Sequence, residues 1–407
     1  MAQKGVAETN FIEDIESSID DKDHERSSER KPIVHIKSIS SIKGANGNSD
    51  SNIKSMKNTD GVIINALKPI LWILKIFGFY YEPSSRNSRV DINHPDDCET
   101  SILTNCQSHS KKGIKSIKGN IINNPLRVYA LAVCILLWFN AGRFIANLIT
   151  YSNTPWMPFV ILYALWVYQV AGSATLLFYM CQRKLPAFFN YVNTVHDNES
   201  ADCLACIGRY TRRCTLIYLS ATLIFAILNW CFPIFFQFGP FPELKATMSV
   251  VHSPFQNTTV FPYIYIFAIH FYSTAVWIYP VIFFCLCCLV VAKKFRILCK
   301  RFRKAVNASN TNAAQTIMIY RKQHETYCIT TELLSDAFSL YLAHIYATNI
   351  GIACFNLYRL LFNFTANGFL MNITLMMWLI STTAFTILIS WVASILNKEV
   401  RNVSNGY

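Results

Sequence analysis

The sequence predicts an all-α integral membrane protein, a helical bundle with six evident transmembrane helices. Three observations carry that prediction. Only 15% of the 407 residues are charged while 52% are hydrophobic, against about 25% charged in an ordinary soluble protein, and the mean hydropathy is +0.27. Six uncharged or nearly uncharged tracts are long enough to cross a bilayer, which takes about 20 residues at 1.5 Å each. The basic excess, 37 Lys+Arg against 24 Asp+Glu, flanks those tracts instead of forming a separate patch. This distribution excludes a soluble multi-domain enzyme and favours a membrane surface over nucleic acid as the basic partner.

Residues 1–60 are polar, Ser-rich and mixed in charge, with Glu13, Asp14, Glu16, Asp20, Asp21, Asp23 and Glu25 followed by Arg26, Arg30 and Lys31. They lack the apolar stretch of a signal peptide, so no cleavage is expected. They also lack the apolar surface that would offset chain entropy, and read as a disordered cytoplasmic tail. In 61–82 the apolar run is interrupted by Lys68, Pro69 and Lys75, with Gly78 near its end. It reads as an amphipathic segment lying in the membrane interface, with Leu67, Leu71, Leu74 and Trp72 facing lipid or the bundle. A polar linker, 83–124, follows.

The transmembrane bundle spans 126–396. Leu126–Ile149 carries Arg127 at its very start and is otherwise interrupted only by Arg143, which is expected to snorkel to the headgroups. Trp156–Cys181 is the second span and Cys214–Phe238, with Pro233 near one end, the third. Tyr263–Ala292 is long enough to tilt, Asp336–Leu361 is the most polar, and Phe369–Leu396 carries no charge. Residues 397–407 form a short cytoplasmic tail.

Basic loops stay on the cytoplasmic side. Arg183, Lys184, Arg209, Arg212 and Arg213 lie between spans two and three, and seven basic residues occur within 293–304. By contrast, 151–155 has no charge and 239–262 has only Glu243 and Lys245. With an even number of spans, both termini are placed inside, in a multi-pass plasma-membrane protein. The run at 293–304, with Phe295, Ile297, Leu298 and Phe302, reads as a helical extension of span four on anionic lipid, not as a nucleic-acid patch. Of the Asn-x-Ser/Thr sequons, Asn257 falls in an expected outer loop and is the candidate glycosylation site.

No Gly-rich phosphate loop, G-x-S-x-G elbow or H-E-x-x-H is present, so no enzyme activity and no cofactor are expected. A single Cys203-x-x-Cys206 pair, with Cys214 and His196 nearby, falls short of the paired motifs of a zinc site. The 14 cysteines are scattered through apolar runs and read as reduced helix residues. Span interiors hold the chemically interesting groups: Tyr163, Trp166, Tyr168 and Gln169; Tyr265, His270, Tyr272, Trp277 and Tyr279; His344, Tyr346, Asn349 and Asn356. Polar groups at membrane depth generally face the bundle interior, and apolar walls with a few polar groups suit a small-molecule cavity. Trp166, Gln169, His270, Tyr272, Asn349 and Asn356 are the candidate ligand-binding residues.

The layout resembles the invertebrate, insect-type gustatory receptors. Ala66-Leu67-Lys68-Pro69-Ile70-Leu71-Trp72 through Phe77-Gly78-Phe79 resembles the family's segment before its first span, and Leu126-Arg127-Val128-Tyr129 leading into Leu136-Leu137-Trp138-Phe139-Asn140 resembles its first helix. Lys293–Lys304 is similar to the extension of span four. Cys354-Phe355-Asn356-Leu357-Tyr358-Arg359 in span five, and Ala393-Ser394 with Glu399 soon after span six, are similar too. The resemblance covers about residues 62–403. It implies a gustatory chemoreceptor that binds a small-molecule tastant and gates a cation conductance, within a homo- or hetero-tetramer with other gustatory receptors. Family members have seven helices, with Thr-Tyr, five hydrophobic residues and Gln-Phe in the seventh. Here the Thr-Tyr pairs are Thr150-Tyr151, at the end of span one, and Thr326-Tyr327, ahead of span five, neither followed by Gln-Phe at that spacing, and the sequence given stops at Tyr407. The expectation is therefore a ligand-sensing bundle without the last helix. A G-protein-coupled-type receptor would need an external amino terminus and a Glu/Asp-Arg-Tyr motif after span three, and a transporter would show inverted repeats and mid-membrane charges. Both remain alternatives.

Overall fold

The computed structural model describes residues 62–80, 125–196, 201–238, 240, 245, 248–251, 253, 261–307, 313–362 and 368–404. The tail 1–60, the linker 83–124 and Asn257 lie outside the described residues. Among the described residues every regular element is an α-helix: α1 (Val62–Ile76), α2 (Pro125–Thr150), α3 (Met157–Arg183), α4 (Leu185–His196), α5 (Ala201–Phe238), α6 (Phe261–Asn307), α7 (Ala313–Phe362) and α8 (Phe369–Ser404). Six of them, α2, α3, α5, α6, α7 and α8, are long and apolar enough to cross a membrane.

The spans extend further than their apolar cores. Helix α5 begins at Ala201, ahead of Cys214, so Cys203 and Cys206 sit on a helix, the first buried and the second exposed. Helix α7 begins at Ala313, and α8 continues through the expected 397–407 tail as far as Ser404. The α6 extension pairs with the first turns of α7 through Phe295 against Tyr327 (ring centroids 5.6 Å) and Phe302 against Tyr320 (5.7 Å). In that hairpin Lys294 is buried, its Nζ 5.3 Å from the Tyr327 ring centroid.

Helix α6 is the axis of the bundle. A helix apolar on all sides has no face suited to water and belongs in the centre, and residues 273–292 are all buried. It packs against α1, α2, α3, α5, α7 and α8. Lipid offers no hydrophobic drive for helix association, so small residues and interhelical hydrogen bonds set the packing. Helices α3 and α7 run antiparallel, paired by Arg359 over Phe159, Gln169 with Asn349, Gly172 with His344, and Lys184 with Asp336. Helices α7 and α8 are likewise antiparallel, with Tyr346 Oη 2.7 Å from Ser390 Oγ and Asn349 Nδ2 donating to Thr386 Oγ1 at 3.3 Å. One end of the bundle carries the α2–α3 turn, Tyr151–Trp156; the other carries the basic segments.

Helix α1 continues through Pro69. One proline removes a single ladder bond, and the buried face of Ile63, Leu67, Ile70, Leu71 and Leu74 holds the helix against α5 and α6. Trp72, 64% exposed, points the other way. After α1, Phe77 packs on Phe271, Tyr272 and Tyr279 at 5.0, 5.9 and 5.8 Å. The segment thus reaches into the bundle along α6 instead of staying at a surface. Gly78 makes this turn possible: its φ is +76°, and an added Cβ would lie 3.1 Å from the Tyr129 ring. Left-handed backbone costs a residue with a side chain about 1–2 kcal/mol. Gly78→Ala is expected to destabilise the protein by at least that much, read as a lower melting temperature in detergent; an unchanged melt would contradict the turn.

At the basic end, Arg296 Nη2 and Nε donate to Glu399 Oε1 at 2.8 and 3.0 Å, joining α6 to the last turns of α8. Glu399 is almost fully buried. Charged hydrogen bonds contribute about 1.5–3 kcal/mol when buried, less when one partner meets water. Glu399→Ala is therefore expected to cost about 1–2 kcal/mol. The charge-swapped pair Arg296→Glu with Glu399→Arg should recover part of the loss in a double-mutant thermal melt.

Candidate ligand-binding site

Toward the α2–α3 turn end, side chains of four helices, α2, α3, α6 and α8, form an aromatic cluster around Trp166. Its ring lies 5.3 Å from Tyr163 on α3, 5.5 Å from His270 on α6 and 5.9 Å from Trp378 on α8. Tyr163 stacks in turn on Phe144 of α2 at 4.6 Å. Polar groups border the aromatic cluster. Gln169 Nε2 donates to Asn349 Oδ1 at 2.7 Å, and Asn349 Nδ2 passes the chain to Thr386. His270 Nε2 lies 3.1 Å from Asn229 O, and His344 Nε2 lies 3.0 Å from Gln169 O. A backbone carbonyl can only accept, so both imidazoles carry their proton on Nε2.

Close helix contact at Gly172 holds this register. A Cβ there would sit 2.6 Å from the His344 ring, so a larger residue at 172 would have to push that imidazole aside.

Asn356 is fully buried, and neither amide atom has a hydrogen-bond partner among the described residues. It lies seven residues beyond Asn349, two helical turns along the same face of α7. Asn349 is level with Gln169, and Arg359, one turn past Asn356, is level with Phe159. The antiparallel register therefore sets Asn356 opposite the α3 turns that carry Tyr163 and Trp166.

The structure thus associates Trp166, Gln169, His270, Asn349 and Asn356, but not Tyr272. Two residues along a helix turn the side chain by about 200°, so Tyr272 leaves α6 on the side away from His270. Its hydroxyl is 2.8 Å from that of Tyr129, which donates to Ile76 O at 2.7 Å. Tyr272 therefore supports the α1–α2 contact.

Arg143 does not snorkel. It is only 8% exposed, donates through Nη1 to Val251 O and Ser253 O at 2.8 Å each, and through Nη2 to Asn140 Oδ1 at 2.9 Å. Its guanidinium also lies over Phe144 at 4.6 Å. Five donors in a planar fork suit adjacent carbonyls better than a headgroup does. Val251 and Ser253 are thereby fastened to α2 beside the aromatic cluster.

With this geometry, comparison with known proteins is informative. The chain is similar in fold to an insect olfactory receptor. The structure of the receptor OR5 from Machilis hrabei superposes with a TM-score of 0.59 at 16% sequence identity, covering 88% of this chain and 84% of that one. No protein-family model matches the chain, and no curated protein matches it. At this identity the likeness to the receptor is one of fold.

Within this fold, sequence reasoning missed Trp378, which stands in the uncharged sixth span with only hydroxyl residues as polar neighbours within a turn of it. It also missed the second role of Arg143. A cation near the end of a span signals a headgroup contact, and nothing local reveals carbonyls more than a hundred residues away.

Proposed function

We propose that this chain is the ligand-sensing bundle of a gustatory-type chemoreceptor, which takes a small-molecule tastant at the Trp166 cluster and gates a cation conductance as part of a tetramer with other gustatory receptors. The observation that carries this reading is the meeting of four helices on one aromatic cluster bordered by amides of α3 and α7, in a fold similar to that of an insect olfactory receptor. The basic end then faces the cytoplasm, both termini lie inside, and the cluster stands toward the outer surface of the plasma membrane. The sequon at Asn257 falls on that outer side.

A ligand gates only by binding one state more tightly than another. The rings of Trp166 and Trp378 are 5.9 Å apart with a 32° tilt. A flat molecule between them needs about 3.5–4.0 Å on each face. Binding would part α3 from α8, and α8 carries the motion to Glu399 and Arg296 at the cytoplasmic end.

The test is whole-cell recording from cells expressing the chain alone and together with gustatory-receptor subunits, challenged with sugars, bitter compounds and amino acids. A ligand-evoked cation current supports the reading. Substrate uptake without current would replace it with a transporter, and an amino-terminal tag stained on intact cells would replace it with a G-protein-coupled-type receptor.

A further inference from the structure

A primary amide buried without partners is costly, and Asn356 bears both a donor and an acceptor in that state. Gln169 Oε1 is also buried without a hydrogen-bond partner among the described residues, its Nε2 being committed to Asn349. The rings of Tyr163 and Trp166, with Trp378 packed on Trp166, belong to the α3 turns that the antiparallel register sets opposite Asn356. A carboxylate offers only acceptors and would set lone pairs against Asn356 Oδ1. A cation would be repelled by Arg359, one turn along α7, and by Arg143 beside Phe144. An apolar ring would leave the amide as it is.

We propose that Asn356 is the recognition amide of the ligand site, and that the site takes a neutral, flat ring compound with a hydrogen-bond donor and acceptor on adjacent atoms, the pattern of a cyclic amide. The inference rests on reading the aromatic cluster as the ligand site. The ring stacks on Trp166 and Trp378, while its C=O accepts from Asn356 Nδ2 and its N–H donates to Asn356 Oδ1.

The test uses the purified full chain in detergent, with thermal unfolding and tryptophan fluorescence as readouts. Three probes share one bicyclic frame: 2-quinolone with the adjacent pair, naphthalene with neither group, and 2-naphthoate with a charge. The expected result is saturable binding of 2-quinolone about tenfold or more tighter than naphthalene, as two neutral hydrogen bonds allow, with 2-naphthoate weakest. Asn356→Leu should remove the advantage of 2-quinolone and leave naphthalene binding in place. Equal binding of 2-quinolone and naphthalene by the unmodified chain, or tightest binding of 2-naphthoate, would overturn the proposal while leaving the aromatic site intact. Failure of all three to bind would overturn both the proposal and the site it rests on. The comparison of probes on the unmodified chain stands even if Asn356→Leu fails to fold.

Discussion

Arg143→Met is expected to destabilise the protein by about 2–4 kcal/mol, because it removes a buried cation on which several acceptors depend. Methionine fills much of the same volume, so the loss reflects hydrogen bonding more than packing. Val251 O and Ser253 O both accept from Nη1, and Asn147 Nδ2 also reaches Ser253 O at 3.2 Å. Without the guanidinium, Val251 O loses this partner and Ser253 O keeps only the weaker amide contact, so both are held less firmly to α2. Two readouts follow. The melting temperature in detergent falls, and a cysteine placed by Ser253→Cys reacts faster with an aqueous maleimide when Arg143 is replaced. Arg143→Lys keeps the charge but not the fork, and should recover only part of the stability. A melt and a labelling rate both unchanged in Arg143→Met would mean that the side chain points to the headgroups after all.

Gly172→Ala is expected to cost about 1 kcal/mol, the lost His344 hydrogen bond being partly offset by alanine's better helix propensity. The added methyl would meet His344 Cε1 and Nε2 at 2.6 Å. To make room His344 must turn, giving up its bond to Gln169 O. The disturbance reaches Asn349 through Gln169, so ligand affinity should fall together with stability. A double-mutant cycle isolates the cause: His344→Ala should remove most of the penalty of Gly172→Ala, giving a clear coupling energy. Additive losses would show that the two residues are not in contact and that the α3–α7 register is wrong.

Much of the fold was legible in the sequence because the bilayer imposes a length on apolar runs. Leu126, Trp156, Tyr263 and Phe369 each fall within a few residues of a helix start. The extensions were not legible. Residues 313–335 and 201–213 carry polar and charged groups around the helix, so no run of hydrocarbon length marks them. The same limit governed α1, where Lys68 and Pro69 broke the apolar run but not the helix.

The site was legible in its residue types and less so in its grouping. Gln169, Asn349 and Asn356 stood out because amides at membrane depth need partners. That Asn349 would meet Gln169 across two helices depends on an antiparallel register that a single sequence does not encode. Tyr272 and His270, two apart on one helix, looked like neighbours but face opposite sides of α6. Helical phase was enough to separate them, once the direction of one was known.

Dose–response in a responding receptor tests the account most directly, because the structure divides residues that the sequence left together. Truncating a buried aromatic anchor typically costs 2 kcal/mol or more, so Trp166→Ala and Trp378→Ala should each raise the half-maximal ligand concentration about thirtyfold. Tyr272→Phe, which removes only the hydroxyl shared with Tyr129, should leave it within about twofold. The reverse order, with Tyr272→Phe desensitising the receptor and both tryptophan variants responding normally, would contradict the placement of the ligand at the Trp166 cluster.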